Sequence, residues 1–321
     1  MTSEVANDVL VREQLDRRRA ARPDRRETFK GGARQVIVFA VFAVTLALAY
    51  DLYKIIGQSI DDRQHDWPIV GSVLPRTDDL NMPPLGSILG AFGETPGGTA
   101  SSLGRQLVGE AAFTLREAAA GFAVGVVIGL GIAIGLARWR RLEQGLLPYV
   151  IASQTIPIIA IAPIVIIWSR KNTDFLPWEW QDWMSVSIIA AFLTFFPVAV
   201  NGLRGLQAPR AEDLELMVSY AASWGQTLWR LRLPASVPYL FAAFKIAATA
   251  SIVGAIVGEI SGGVSGGLGR RILSAAFNYS SGPERLYAAV IGSALLGILV
   301  FLSIVGLERL ILGRQGREAV S

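Results

Sequence analysis

At 321 residues, with 52% hydrophobic and only 17% charged side chains and a mean hydropathy of +0.43, the chain is too apolar for a pair of soluble domains. It has no cysteine and a single histidine, His65, which excludes a disulfide framework, a thiol nucleophile, a zinc-thiolate site and any histidine cluster. The net charge of +4 is distributed as a topology signal, not as a nucleic-acid surface.

Residues 1–34 carry nine Arg/Lys and six Asp/Glu and read as a polar cytoplasmic extension, too long and too mixed in charge for a signal peptide. A first membrane span is predicted over 35–57. Residues 58–104 form a proline-punctuated loop with six acidic and two basic residues, external by the positive-inside rule, with a short surface helix over Leu85 to Phe92.

Residues 105–310 contain the remaining spans. The second, about Leu107 to Ala137, holds Gly121, Gly125 and Gly129 at four-residue spacing, a face that lets a neighbouring helix approach closely. Glu110, Arg116 and Glu117 near its start either lie at the outer interface and neutralise one another, or place Arg116 on a polar path. Arg138, Arg140 and Arg141 mark the inside. The third span, about Leu146 to Trp168, contains Pro148, Pro157 and Pro163. These signal a packing kink or a broken helix beside a substrate path. An external loop rich in Trp (Trp178, Trp180, Trp183) follows, with a fourth span over Met184 to Leu203. A fifth, about Val237 to Ile260, carries Lys245 and Glu259. The Gly-rich stretch Ser261 to Arg271 lacks the Gly-Lys-Ser/Thr ending of a phosphate cradle and reads as an external hinge. The sixth span is about Leu286 to Leu307, and 311–321 is a cytoplasmic tail. The reading is an all-α, multi-pass plasma-membrane protein of about six helices with both termini cytoplasmic.

Between spans four and five lies a cytoplasmic segment, 212–235, ELMVSYAASWGQTLWRLRLP at its centre. Its apolar residues recur at helical spacing, predicting two short amphipathic helices broken around Ser223–Gly225. It resembles the EAA loop of ABC-importer permeases, whose pattern is E-A-A-x-x-x-G followed nine residues later by I-x-L-P. Glu215 matches the leading acid, and Leu231, Leu233 and Pro234 match the end in register. Leu216 and Met217 replace the two alanines. Ala221 stands where the pattern has glycine, which keeps the position small and gives up freedom at positive φ. SQTIPIIAIAPIVIIW, TLREAAAGFAVGVVIGLGIAIGL and the run ending in VGEI resemble permeases of the nitrate/sulfonate/taurine/bicarbonate group, which also serve pyrimidine-precursor and riboflavin-type uptake.

The resemblance implies a type I ABC importer permease fold and a homodimer. It also implies two ABC ATPase subunits bound at the cytoplasmic loops, and an extracytoplasmic solute-binding protein. The chain itself then holds no cofactor, and ATP and Mg belong to the ATPase. Leu216, Tyr220 and Trp224 become apolar anchors in an ATPase groove. Arg230 and Arg232 pair with ATPase acids or lipid phosphates, and Pro234 ties the segment to span five. Arg116, Pro157, Pro163, Lys245 and Glu259 are the candidates for the translocation path. Arg116 and Lys245 either draw an anion or pair with Glu117 or Glu259. A self-sufficient secondary transporter or channel is the alternative reading.

Overall fold

The computed structural model describes residues 25–61, 77–96, 100–171, 177 and 179–318. Expectations for residues 1–24, for the loop around Pro68 and Pro75, for Gly97–Gly98 and for Trp178 lie outside these. Among the described residues every regular element is helical. The chain divides into two compact units, Met1–Leu85 and Gly86–Ser321, so the division falls inside the long loop.

In the first unit, helix α1 (Arg25–Asp61) carries the first expected span. The segment after the loop is tied to it by polar bonds. Lys54, almost fully buried, donates to Asp79 Oδ1 and to the Met82 carbonyl, both at 2.6 Å. Tyr50 donates to the Pro83 carbonyl at 2.9 Å. Lys54 therefore anchors a chain reversal. The ammonium beside Asp79 holds that carboxyl below its usual range.

The second unit contains α2 (Leu85–Ala91), α3 (Leu103–Arg138), α4 (Arg140–Ala152), α5 (Ile158–Lys171), α6 (Asp182–Leu206), α7 (Ala211–Ser219), α8 (Trp224–Gly262), α9 (Leu268–Phe277) and α10 (Pro283–Glu318). Helices α3, α6, α8 and α10 are each long and apolar enough to cross a membrane. The α4–α5 pair makes a fifth candidate span, bent by 96°. The expected surface helix is α2, but its Ile88 and Ala91 are buried, and Ala91 joins the same core cluster as Leu103, Leu107 and Ala288.

Helix α6 is the central element, packed most closely by α3 and α8. The glycine face of α3 explains one contact. A Cβ on Gly121 would lie 2.6 Å from the Ser187 carbonyl, and one on Gly125 would lie 2.5 Å from Thr194 Cβ. Van der Waals packing at this distance needs a residue without a side chain. Gly254 of α8 does the same on the other side, where a Cβ would meet Ala190 Cα at 2.8 Å. Small residues on both partners thus let α6 bury fourteen of its residues with few large side chains.

The break between α4 and α5 has a local cause. Ile156 is extended at φ −73°, ψ 123°, the conformation that a following proline imposes. Pro148 and Pro163 lie inside α4 and α5 without ending them. The helix is broken at Pro157 alone.

Candidate functional site

Two regions gather the residues of the α6–α8 segment and Glu259 with its partners; the other path candidates lie elsewhere. The first is the segment joining α6 to α8. Arg210 is the N-cap of α7, its side chain paired with Asp213 at 3.2 Å. The guanidinium pulls the Asp213 carboxyl below its ordinary value. After Tyr220 the chain reverses through Ala221 at φ +52°, the one non-glycine residue at positive φ among those described. The residue where the loop pattern has glycine therefore adopts the conformation that glycine would hold without strain. An L-residue there is disfavoured by roughly 1–2 kcal/mol.

Ser223 then starts α8 with a full capping box. Its hydroxyl accepts from the Gln226 amide, and its own amide donates to the Gln226 side chain at 2.8 Å. The break covers Tyr220–Ser223, meeting the expected Ser223–Gly225 only at Ser223, and Gly225 is already helical. From Leu228 to Arg232 the helix widens into a π turn, with the Leu233 amide donating to the Leu228 carbonyl. Pro234 supplies the reason: its ring would strike the carbonyl four residues back and it has no N–H to give. A wider turn just before it accommodates both.

The side chains sort by direction. Leu216 and Tyr220 are 54% and 74% exposed. Glu215, Arg230 and Pro234 are also exposed, whereas Leu231 and Leu233 are half-buried. Trp224 turns inward instead of outward. It packs on the cluster of Leu136, Leu206 and Leu228 beneath the Arg138 guanidinium, 5.2 Å from its ring. The exposed indole is that of Trp229, which helical spacing did not select. Arg232 donates to the Leu206 carbonyl at 2.8 Å and so caps the end of α6. Basic groups are favoured at that position by the unpaired carbonyls and the helix dipole.

The second region lies at the far end of α8, where the Gly-rich stretch turns into α9. Glu259 is fully buried. Its Oε1 accepts from the Thr114 hydroxyl at 2.6 Å and its Oε2 from the Gly269 amide at 2.5 Å. The Leu268 amide donates to Thr114 Oγ1 at 2.9 Å, and the Gly267 amide donates to Glu110 Oε2. Three successive amides opening α9 are thus taken by side chains from α3 and α8. Arg271 closes the cluster, 2.7 Å from Gln106 and 3.6 Å from Glu110. The Gly-rich stretch is a docked turn, and Gly267, at φ +96°, leaves no room for a Cβ against the Glu259 carboxyl.

The five path candidates do not converge. The Arg116 guanidinium sits over the rings of Phe113 and Trp183 at 5.0 and 4.7 Å, on the exposed side of α3. It forms no ion pair with the buried Glu117. Lys245 is paired with Glu308 of α10 at 3.0 Å, not with Glu259. Lys245 and Glu259 lie about 21 Å apart along α8 at 1.5 Å per residue. Pro157 stands at the bend and Pro163 one turn into α5. No group of three His, Cys, Asp or Glu side chains among the described residues could hold a metal ion.

Comparison with known proteins fits this architecture. The family model of the binding-protein-dependent transport system inner membrane component matches residues 125–313. The formylaminopyrimidine transport permease protein ThiX of Halalkalibacterium halodurans is 32% identical over 201 residues, 62% of this chain and 74% of that one. The riboflavin transport system permease protein RibX of Chloroflexus aurantiacus is 30% identical over 205 residues, 62% of this chain and 69% of that one. In fold, the chain is similar to the MetNI methionine ABC transporter solved in inward-facing conformations. The TM-score is 0.53 at 19% identity, over 65% of this chain and 97% of that one. With a glycine-seamed set of apolar helices and a family match over more than half its length, the chain belongs to the inner-membrane permease components of binding-protein-dependent ABC importers.

Proposed function

We propose that this permease carries a small heteroaromatic or sulfonate-type solute into the cell, driven by separate ATPase subunits docked on the α7–α8 segment. The observation that carries the coupling reading is the continuity of α8. A capped helix that begins at Trp224 runs without a break to Gly262. Any force on the segment therefore enters the membrane-crossing helix directly. Leu216 and Tyr220 offer exposed apolar side chains to an ATPase groove, in the manner of helix-in-groove recognition. Glu215 and Arg230 flank them with charge.

In this reading the α7–α8 segment is cytoplasmic and the Gly-rich turn faces outward, where a solute-binding protein delivers its cargo to a permease homodimer. The two states of the permease bind the ATP-closed subunits with different affinity, and that difference drives the exchange. The substrate class follows two relatives matched over 201 and 205 residues, named for formylaminopyrimidine and riboflavin transport. A relative 28% identical over 152 residues is named for aliphatic sulfonates. Arg116 and the bend at Pro157–Pro163 are the groups we assign to the path. The charge on Lys245 is already taken up by Glu308.

The test is uptake by the reconstituted complex of permease, ATPase and binding protein in vesicles. ATP-dependent accumulation of a formylaminopyrimidine, riboflavin or an alkane sulfonate is expected. Tyr220→Ala should reduce it sharply, in step with weakened ATPase binding. Equal uptake without ATP would favour an ATP-independent carrier and overturn the reading.

A further inference from the structure

We propose that a groove along α4 binds an anionic phospholipid, its phosphate held at Arg140 and an acyl chain laid along Leu147 and Ile151. A cavity of about 610 Å³ opens beside this helix. Its wall is polar at one end, with Arg140, Glu143 and Gln144, and apolar beyond, with Leu147, Pro148 and Ile151. These positions recur at three- and four-residue spacing and so fall on one helix face. From Arg140 to Ile151 the wall runs about 16 Å at 1.5 Å per residue. That is close to half of the roughly 30 Å hydrocarbon thickness of a bilayer. The groove therefore matches one leaflet in length, charged at one end and apolar along the rest.

The polar end selects the sign of the occupant. Arg138, Arg140 and Arg141 are all exposed, and none of the ion pairs among the described residues uses them. Arg138 rests on the Trp224 ring and keeps its charge. Glu143 is the acid in the wall, and its Oε1 accepts from the Gln207 side chain at 3.0 Å. Three guanidinium groups thus stand beside one carboxylate that already has a donor, and an anion is favoured there. Basic clefts at the ends of membrane helices hold anionic headgroups for this reason. Pro148, inside α4, has no N–H to give the Gln144 carbonyl, which leaves an acceptor in the wall for a headgroup hydroxyl.

The rest of α4 suits a lipid neighbour. None of its residues is fully buried. Trp139 and Tyr149 are exposed, and such amphipathic rings are favoured at the membrane interface. Leu146 and Ile151 are exposed as well, so apolar surface continues around the helix from the groove. A two-fold contact centred on this face would pair the arginine cluster with its own copy, like charge against like. An anionic lipid neutralises the cluster instead.

The test uses the full chain, which has no cysteine, in lipid nanodiscs. A bimane label at residue 151, introduced by Ile151→Cys, should be quenched more by phosphatidylglycerol brominated in its acyl chains than by phosphatidylcholine brominated in the same way. Arg140→Gln should lower that preference about five-fold, the loss expected for one basic group at a membrane surface. Arg270→Gln, exposed on α9, should leave it unchanged. In native mass spectrometry of the unlabelled chain, Ala152→Phe, which fills the apolar part of the groove, should displace bound phosphatidylglycerol. A site for phosphate alone would be indifferent to that change. Equal quenching by the two lipids, or a preference that survives Arg140→Gln, would overturn the proposal, as would retention of the lipid by Ala152→Phe. Rapid disulfide formation between two copies of the Ile151→Cys chain would show that a second copy covers the groove, and would overturn it equally.

Discussion

Around Gly262, at one end of α8, the amides of Gly267, Leu268 and Gly269 are taken by Glu110, Thr114 and Glu259, and the side chains that do so are buried or half-buried. Around Trp224, at the other end, Leu216, Val218, Tyr220 and Trp229 are all more than half exposed, and the turn depends on a strained Ala221. The first end satisfies itself within one chain. The second leaves apolar surface and conformational strain in place, as fits a surface that is completed by a partner. The contrast separates what holds the permease together from what it presents.

The contrast can be broken in several places. The largest effect is expected within the closed part. Gly125→Leu would drive a side chain into Thr194 and should cost about 3 kcal/mol or more, read as a lost thermal transition in detergent. Gly131→Leu, with open space around it, should stay within about 0.5 kcal/mol of wild type. Equal effects would refute the glycine seam.

Next come the two aromatic residues of the coupling segment. Trp224→Ala should destabilise the chain by about 2 kcal/mol through its half-buried ring. Tyr220→Ala should leave the melting temperature alone and weaken ATPase binding by about 2 kcal/mol, roughly 30-fold. An exchange of these phenotypes would mean that the inward and outward faces are reversed.

Ala221→Gly should stabilise the chain by about 1 kcal/mol, because relief of the positive φ exceeds the added flexibility of glycine. A loss of stability would show that the turn is not left-handed at this residue.

The smallest effect concerns Asp213. Its carboxyl is depressed by Arg210, so the stability it lends α7 is present above the ordinary carboxylate range and lost as pH falls through the depressed value. The pair is solvent-exposed, so the effect is small. Asp213→Asn should flatten the acid limb of a helicity titration, its neutral signal lying at the slightly lower level that wild type reaches in acid.

Much of the architecture was legible because it rests on periodicity. The four-residue glycine spacing of α3 identified a helix-packing face directly, and the register of Glu215 with Pro234 picked out the segment between α6 and α8 that we propose as the coupling segment. Ala221 was legible as a departure from the loop pattern, and its φ of +52° is where that departure has its effect. What could not be read were partners distant in sequence. Thr114 lies 145 residues from Glu259, and Lys245 lies 63 from Glu308. Glu110, Thr114 and Glu117 do share a helix face at spacings of four and three, a signal that a polar strip exists but not of what it meets. Three prolines in one expected span could not be ranked from sequence, because the break depends on the extended conformation of Ile156. Trp224 was taken for an anchor because it is aromatic and in phase. It packs against the cluster of Leu136, Leu206 and Leu228 instead.

Helix α8 is a rod of 39 residues, about 58 Å long at 1.5 Å per residue. Tilted by about 5° around its midpoint, such a rod moves each end by roughly 2.5 Å, in opposite directions. A push on Trp224 would then lever against Glu259 and the turn it holds. The π turn at Leu228–Arg232 sits where the lever is loaded, and the Arg232 bond to Leu206 passes part of the same load to α6. In the proposed coupling, the stiffness of this one helix would set how much of a partner's closure reaches its far end.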